Sequence, residues 1–326
     1  MIITKTPFRI SFFGGGTDYP EHFLQNGGAV LGTAIDKFAY LSVTPFYSRL
    51  FEYSIRLAYR QVECVENLDE VQHAPFRECL RWCGISRDIE INYTAELPSF
   101  GGLGTSSSFV VGLLNALYAF QGRSIRPIDL AYQAIEIERE VLHEAVGCQD
   151  QTFAAVGGFN VIEFQTAKDI IVHRVPLSRE RIEEFESHLF VVFTGIRRRA
   201  NEIAAQQIQN VKQNGERLQR MREMVDEGYN ILSGSGDLAR FGLLLHEGWC
   251  LKRQLADTIS NPVIEEIYEA GREAGALGGK LLGAGGGGFV LFFVPPEKQK
   301  KVRERLKSFE EISVRVNAPG SHIVHA

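Results

Sequence analysis

Residues 98–109, PSFGGLGTSSSF, join a glycine run to three consecutive serines. Glycines let a backbone come close to an anion, and hydroxyls can hold phosphate oxygens or a cation bound to them. The stretch has no lysine, which separates it from the common NTPase loop ending in Gly-Lys-Ser/Thr. Its flanks give it a position. Upstream, DIEINYTAELP alternates, with Ile89, Ile91, Tyr93, Ala95 and Leu97 on one side and Glu90, Asn92, Thr94 and Glu96 on the other. That pattern predicts a half-buried strand. Downstream, Val110, Leu113, Leu114, Leu117 and Phe120 recur at helical spacing. The serines therefore open a helix, where free N–H groups and the positive end of the dipole suit phosphate.

Acidic candidates follow. In LAYQAIEIEREVLHEAVG an apolar stripe runs through Ala131, Ala134, Ile135, Val141 and Leu142, and Glu138 falls on it. A carboxylate on a buried face needs a partner, which is either a structural ion pair or a metal. Asp150, in VGCQDQTF, is either the N-cap of a short helix or an acid held in a loop for chemistry. Arg9 and Asp18 flank the turn in RISFFGGGTDYP, as an exposed pair or as part of a site. A second glycine run, LLGAGGGGFVLFF, spells G-x-G-x-x-G from Gly283 through Gly285 to Gly288. A helix precedes it and a strand follows, which is the wrong order for a dinucleotide fold. So many glycines instead read either as a tight turn between helix and strand or as a close approach of backbone to a ligand or to another segment. Arg197, Arg198 and Arg199 sit between a strand and a helix start, as a solvated basic turn or as an anion contact.

Elements must carry these residues. The chain has 326 residues, 44% of them hydrophobic, with mean hydropathy −0.08. That supports two globular domains. A formal net charge of −5 argues against a general binder of nucleic acid or anionic membrane. Five scattered cysteines read as reduced, mostly buried thiols. No signal-like leader or spanning stretch is read, so the expected compartment is the cytoplasm. Residues 28–46 read as two β-rich runs and 127–144 as one helix. IRRRANEIAAQQIQNVKQNGERLQRMREMV reads as one long charged helical pattern. Another helix covers about 237–257, then a helix from Asn261, a loop through the glycines, a strand, a helix and a last strand. The class is α+β, divided as residues 1–175 and 176–326.

Taken together, three motifs resemble the GHMP kinases. They are Pro7, Arg9, Thr17, Asp18 and Tyr19; then Pro98, Gly102, Leu103, Gly104, Thr105 and Ser106; then the 283–288 glycines. Within that family RISFFGGGTDYP, GCQDQTFAAVGGFN and FTGIRRRANEI look most like kinases of D-glycero-D-manno-heptose 7-phosphate, and L-fucose kinases share part of the pattern. Galactokinases have Glu-His before Thr-Asp-Tyr where this chain has Gly15-Gly16. The resemblance implies a ribosomal protein S5 domain 2-like first domain and a ferredoxin-like second. It implies ATP bound by Pro98, Gly101, Gly102, Leu103, Gly104, Thr105, Ser106, Ser107 and Ser108. It implies Mg²⁺ on Ser106 and Glu138, and Asp150 as base with Arg9 beside it. Thr17, Asp18, Arg198, Gly285 and Gly286 would contact the acceptor, a sugar or sugar phosphate. A monomer or homodimer is expected.

Overall fold

The structure is a computed structural model, and it describes residues 1–99, 101–167, 169–197 and 200–326. The first half of the chain builds strands β1 (Ile2–Phe13), β2 (Gly28–Pro45), β3 (Ile55–Ala58), β4 (Val62–Val65), β5 (Ile89–Ala95), β6 (Phe159–Thr166) and β7 (Asp169–Arg174). Its helices are α1 (Pro20–Asn26), α2 (Ala74–Trp82), α3 (Thr105–Phe120), α4 (Pro127–Glu136) and α5 (Gln149–Val156). The second half builds β8 (Leu189–Phe193), β9 (Gly278–Leu281), β10 (Phe289–Phe293) and β11 (Glu310–Ile312). With them come α6 (Arg179–Ser187), α7 (Ala200–Gln209), α8 (Gly215–Ser233), α9 (Ala239–Lys252), α10 (Pro262–Ala274) and α11 (Gln299–Arg305). A last strand, β12 (His322–His325), returns to the first sheet and pairs with β1.

The first sheet runs β12-β1-β2-β5-β3-β4, with β6 and β7 added along the other end of β2. This works because β2 is long. Its residues 28–33 pair with β6 and its residues 39–45 with β5. The two β-rich runs read from the sequence are thus one continuous strand, whose pairing with β1 shifts register at Pro7/Phe8 and again at Ser11/Phe13. The second sheet runs β11-β8-β10-β9, all antiparallel. Residues 278–281, expected as loop, form its edge β9. The long charged pattern breaks into α7 and α8, because Asn210 and Asn214 both turn their side-chain amides onto the Leu255 carbonyl. Asparagine competes with helix in this way. The helix read at 237–257 is shorter, at Ala239–Lys252.

Both sheets share one core. Phe12 of β1 meets Phe185 of α6 and Phe241 of α9, each at a 5.4 Å centroid distance and edge to face. Such contacts contribute about 0.5–1.5 kcal/mol each beyond burial. A second seam is backbone on backbone. Gly102 (φ +78°) and Gly283 (φ +72°) pack so closely that a Cβ on Gly283 would overlap Gly102, and one on Gly102 would overlap the Leu282 carbonyl. Close approach to another segment is therefore what these glycines provide. Gly283→Ala is expected to cost more than about 2 kcal/mol in denaturant unfolding, from its left-handed φ plus the overlap. A loss below about 0.5 kcal/mol would show the seam to be soft.

Candidate active site

The two glycine loops, the Gly14–Gly16 turn and the start of α5 surround a cavity of about 400 Å³. Each wall has a local cause. Gly104 stands at the N-cap of α3 in the left-handed region (φ +75°) and has no side chain to cap the helix. The first N–H groups of a helix have no partner inside it, and here Thr105, Ser106 and Ser107 line the cavity. A Cβ at Gly104 would crowd Arg9 and Asp150.

Arg9 projects from β1 and grips Asp150 with two bonds. Nε donates to Oδ1 at 2.9 Å and Nη2 to Oδ2 at 2.7 Å. Nη1 donates to the Gly102 carbonyl at 2.6 Å. The Arg9 side chain is 6% exposed and that of Asp150 26%, so the acid keeps access to the cavity. Asp150 lies in the first turn of α5, whose N-cap is Cys148, so it is not the capping residue. Among the described residues Asp18 pairs with no arginine. Its Oδ1 accepts from Gly16 N at 3.0 Å and Oδ2 from Gln149 N at 3.4 Å. Burial pushes the Asp18 carboxyl up, the Gly16 N–H opposes this, and the Asp150 charge adds to it. A Cβ at Gly147 would overlap the Asp18 carboxylate.

Glu138 sits behind this wall and is fully buried. The helix expected over 127–144 changes at Ile137–Val141 into a π-helical turn that carries it. Such turns recur at functional sites. Ser107 Oγ donates to Glu138 Oε2 at 2.8 Å, and Gln151 Nε2 donates to the same oxygen. Oε1 has no hydrogen-bond partner among the described residues. Burial, with Glu144 adding to it, pushes the Glu138 carboxyl up to about 8. A carboxylate with one buried oxygen unsatisfied, beside a serine hydroxyl, fits a hard cation. No arginine or lysine pairs with it among the described residues, so the ion-pair alternative is not what the structure holds.

The structure thus brings Arg9, Asp18, Gly102, Gly104, Thr105, Ser106, Ser107 and Asp150 to one cavity. Other expected residues lie elsewhere. Thr17 is buried and its hydroxyl is taken by the Gly14 and Ala29 carbonyls at 2.8 and 2.9 Å, so it shapes the turn. Gly285 and Gly286 pack on Ile259, with Gly286 N donating to its carbonyl at 2.8 Å; Gly283 and Ala284 line the cavity instead. Leu103 belongs to the shared core, Gly101 packs on Phe289, and Ser108 donates to the Pro7 carbonyl at 2.8 Å. Pro98 is exposed at the loop's start. Arg198 lies outside the described residues. Sequence reasoning missed Lys252, Lys280, Glu144 and Gln149 on the cavity wall. The position of Lys280 just ahead of the 283–288 glycines was a usable signal, whereas Lys252 gave none.

A helix N-terminus and an arginine-held carboxylate share one cavity, and a buried glutamate lies one serine behind its wall, an arrangement suited to phosphoryl transfer. The family comparisons agree with it. The model for the GHMP kinases N terminal domain matches residues 62–158, and that for the GHMP kinases C terminal matches residues 229–311. The chain belongs to the GHMP kinases, enzymes that use ATP as phosphate donor, generally with Mg²⁺.

Among curated relatives, D-glycero-alpha-D-manno-heptose 7-phosphate kinase of Campylobacter jejuni is 29% identical over 94% of this chain and 93% of its own length. The bifunctional fucokinase/GDP-fucose pyrophosphorylase of Arabidopsis thaliana is 27% identical over 96% of this chain, which spans 32% of that larger protein. The crystal structure of a D-glycero-D-manno-heptose 1-phosphate kinase from Bacteroides thetaiotaomicron superposes with a TM-score of 0.82 at 24% identity, covering 100% of this chain and 99% of the other. This chain is a GHMP-type sugar kinase related to heptose phosphate kinases. No helix among the described residues is long and apolar enough to cross a membrane.

Proposed function

We propose that the enzyme transfers the γ-phosphoryl group of ATP to the anomeric hydroxyl of D-glycero-D-manno-heptose 7-phosphate, giving the 1,7-bisphosphate. The observation that carries a kinase reaction here is the bidentate Arg9–Asp150 pair packed beside the α3 N-terminus in the wall of one cavity. The choice of sugar is supported by the 29% identity to the Campylobacter heptose kinase over nearly the whole chain.

In this reading the amides opening α3 and the hydroxyls of Thr105 and Ser106 bind the ATP phosphates. Asp18 accepts hydrogen bonds from sugar hydroxyls. Asp150 takes the proton of the C1 hydroxyl as its oxygen attacks the γ-phosphorus and the bond to ADP breaks. Arg9 orients Asp150 and offsets negative charge on the moving group. Glu138 and Ser106 would hold Mg²⁺, with Ser107 fixing the Glu138 carboxylate. The ion, when bound, supplies neutralisation of charge on the phosphate oxygens.

The test is an ADP-release screen over heptose 7-phosphate, unphosphorylated heptose, L-fucose and mevalonate, with phosphorus NMR of the product. Heptose 7-phosphate should exceed free heptose at least tenfold in kcat/KM, since a charge-assisted arginine–phosphate contact is worth about 1.5–3 kcal/mol. Arg198→Ala should erase most of that gap. Equal efficiency on the two heptoses would sink the phosphorylated acceptor. The 27% identity to a fucokinase makes L-fucose the second reading, tested in the same screen.

A further inference from the structure

Two cations in the cavity wall have no carboxylate partner among the described residues. Lys252, at the end of α9, and Lys280, in β9, are each 6% exposed, and both line the cavity. Lys252 Nζ donates to the carbonyls of Leu281 at 2.9 Å and Gly283 at 2.5 Å. Lys280 Nζ donates to the Phe12 carbonyl at 2.8 Å. Among the described residues those are their polar partners, and neither side chain makes an ion pair. An ammonium has three N–H donors. One therefore remains on Lys252 and two on Lys280.

Charge balance sharpens the point. Asp150 is taken by Arg9, and Asp18 by backbone N–H groups. Burial pulls the Lys252 amine down to about 7, with Arg9 adding to this and Asp18 and Asp150 opposing. Burial lowers Lys280 as well, with Lys252 and then Arg9 adding to it. A buried ammonium without a counter-charge is costly, and here two such groups share one cavity with an arginine. An anion arriving between them would relieve all three.

We propose that Lys252 and Lys280 form a paired seat for a phosphate group inside this cavity. The proposal rests on the kinase reading above and deepens it. The anchors reach different segments of the cavity wall. Lys280 is tied to Phe12, just before the Gly14–Gly16 turn that positions Asp18, whereas Lys252 is tied to Gly283, which packs on Gly102 of the 98–109 loop. The phosphate is either that of a phosphorylated acceptor or the terminal one of the nucleotide, and the experiment separates the two.

Full-length protein and its Lys252→Met and Lys280→Met variants are titrated calorimetrically with heptose 7-phosphate, free heptose, ADP, a non-hydrolysable ATP analogue and inorganic phosphate. The expected result is at least tenfold weaker binding of a phosphate ligand in both variants. A loss for heptose 7-phosphate with ADP and the ATP analogue within threefold assigns the seat to the acceptor. A loss for the ATP analogue with ADP within threefold assigns it to the terminal phosphate. Phosphate-bearing ligands all within threefold of wild type, or equal losses for free heptose and ADP as well, overturn the proposal.

If either variant does not fold, the wild-type protein decides. Binding of a phosphate ligand at pH 8 should take up protons, read as a dependence of the binding enthalpy on the buffer's ionisation enthalpy, and absence of uptake overturns the seat. The inorganic phosphate titration keeps the two readings apart. It tests the lysines even if heptose 7-phosphate is not turned over, an outcome that would defeat the proposed substrate alone.

Discussion

Asp150→Asn is expected to lower kcat about 10²–10⁴-fold while ATP still binds, because a positioned general base contributes about that much. The amide keeps the shape of the carboxylate but loses its charge and its appetite for a proton. Arg9 would then be left buried without its anion, since Nε and Nη2 both depend on Asp150. Breaking one side of a buried pair costs about 3–5 kcal/mol, so the melting temperature should fall too. Rates are therefore normalised to folded protein by circular dichroism, and ATP affinity is measured separately by calorimetry. Activity within threefold of wild type would remove Asp150 from the reaction.

The second large effect is expected at Glu138. Glu138→Gln should raise the Mg²⁺ concentration for half-maximal rate at least tenfold, in line with the loss of a ligand or its direct support. A pH signature accompanies it. The folded carboxyl is pushed up to about 8, against an ordinary value of 4.5. Between those values the folded protein keeps a proton that the unfolded chain has lost. The Glu138 contribution to the stability of metal-free wild type should therefore be full below about pH 4.5, fall as pH rises toward 8, and be lost above. The Gln variant should lack that decline, and thermal melts across pH 5–8 without Mg²⁺ read it directly. A Gln variant with unchanged metal demand and the same decline would make Glu138 a structural residue.

Much of this site was legible because its anomalies are local. Glu138 is conspicuous as a carboxylate on an apolar stripe, and the serines after Gly-Leu-Gly are fixed by a strand pattern before them and a helix pattern after. What stayed hidden depends on distant packing. Lys252 reads as an ordinary charged residue at a helix end and is buried because β9 and the glycine loop close over it. Thr17 and Gly285 look like ligand contacts in a motif, yet β2 and Ile259 occupy them. The α7–α8 break was invisible for the same reason, since the carbonyl that draws Asn210 and Asn214 is supplied from Leu255. The π turn at Ile137–Val141 leaves the apolar spacing almost unchanged, so periodicity could not reveal it.

The pairing of β12 with β1 has a consequence for how the protein is made. Ile3, Thr4 and Lys5 are zipped to residues 322–325, and Ser321 N bonds the Ala154 carbonyl in α5 at 2.8 Å. The strand that carries Arg9 therefore has one open flank while the ribosome adds the roughly 150 residues after β7. At about 5–20 residues per second that interval lasts roughly 7–30 s. An unpaired strand edge is a template for association with other chains. The nascent first half is thus most exposed to misassembly before residues 322–325 emerge, and slowed translation of the second half should lower the soluble yield.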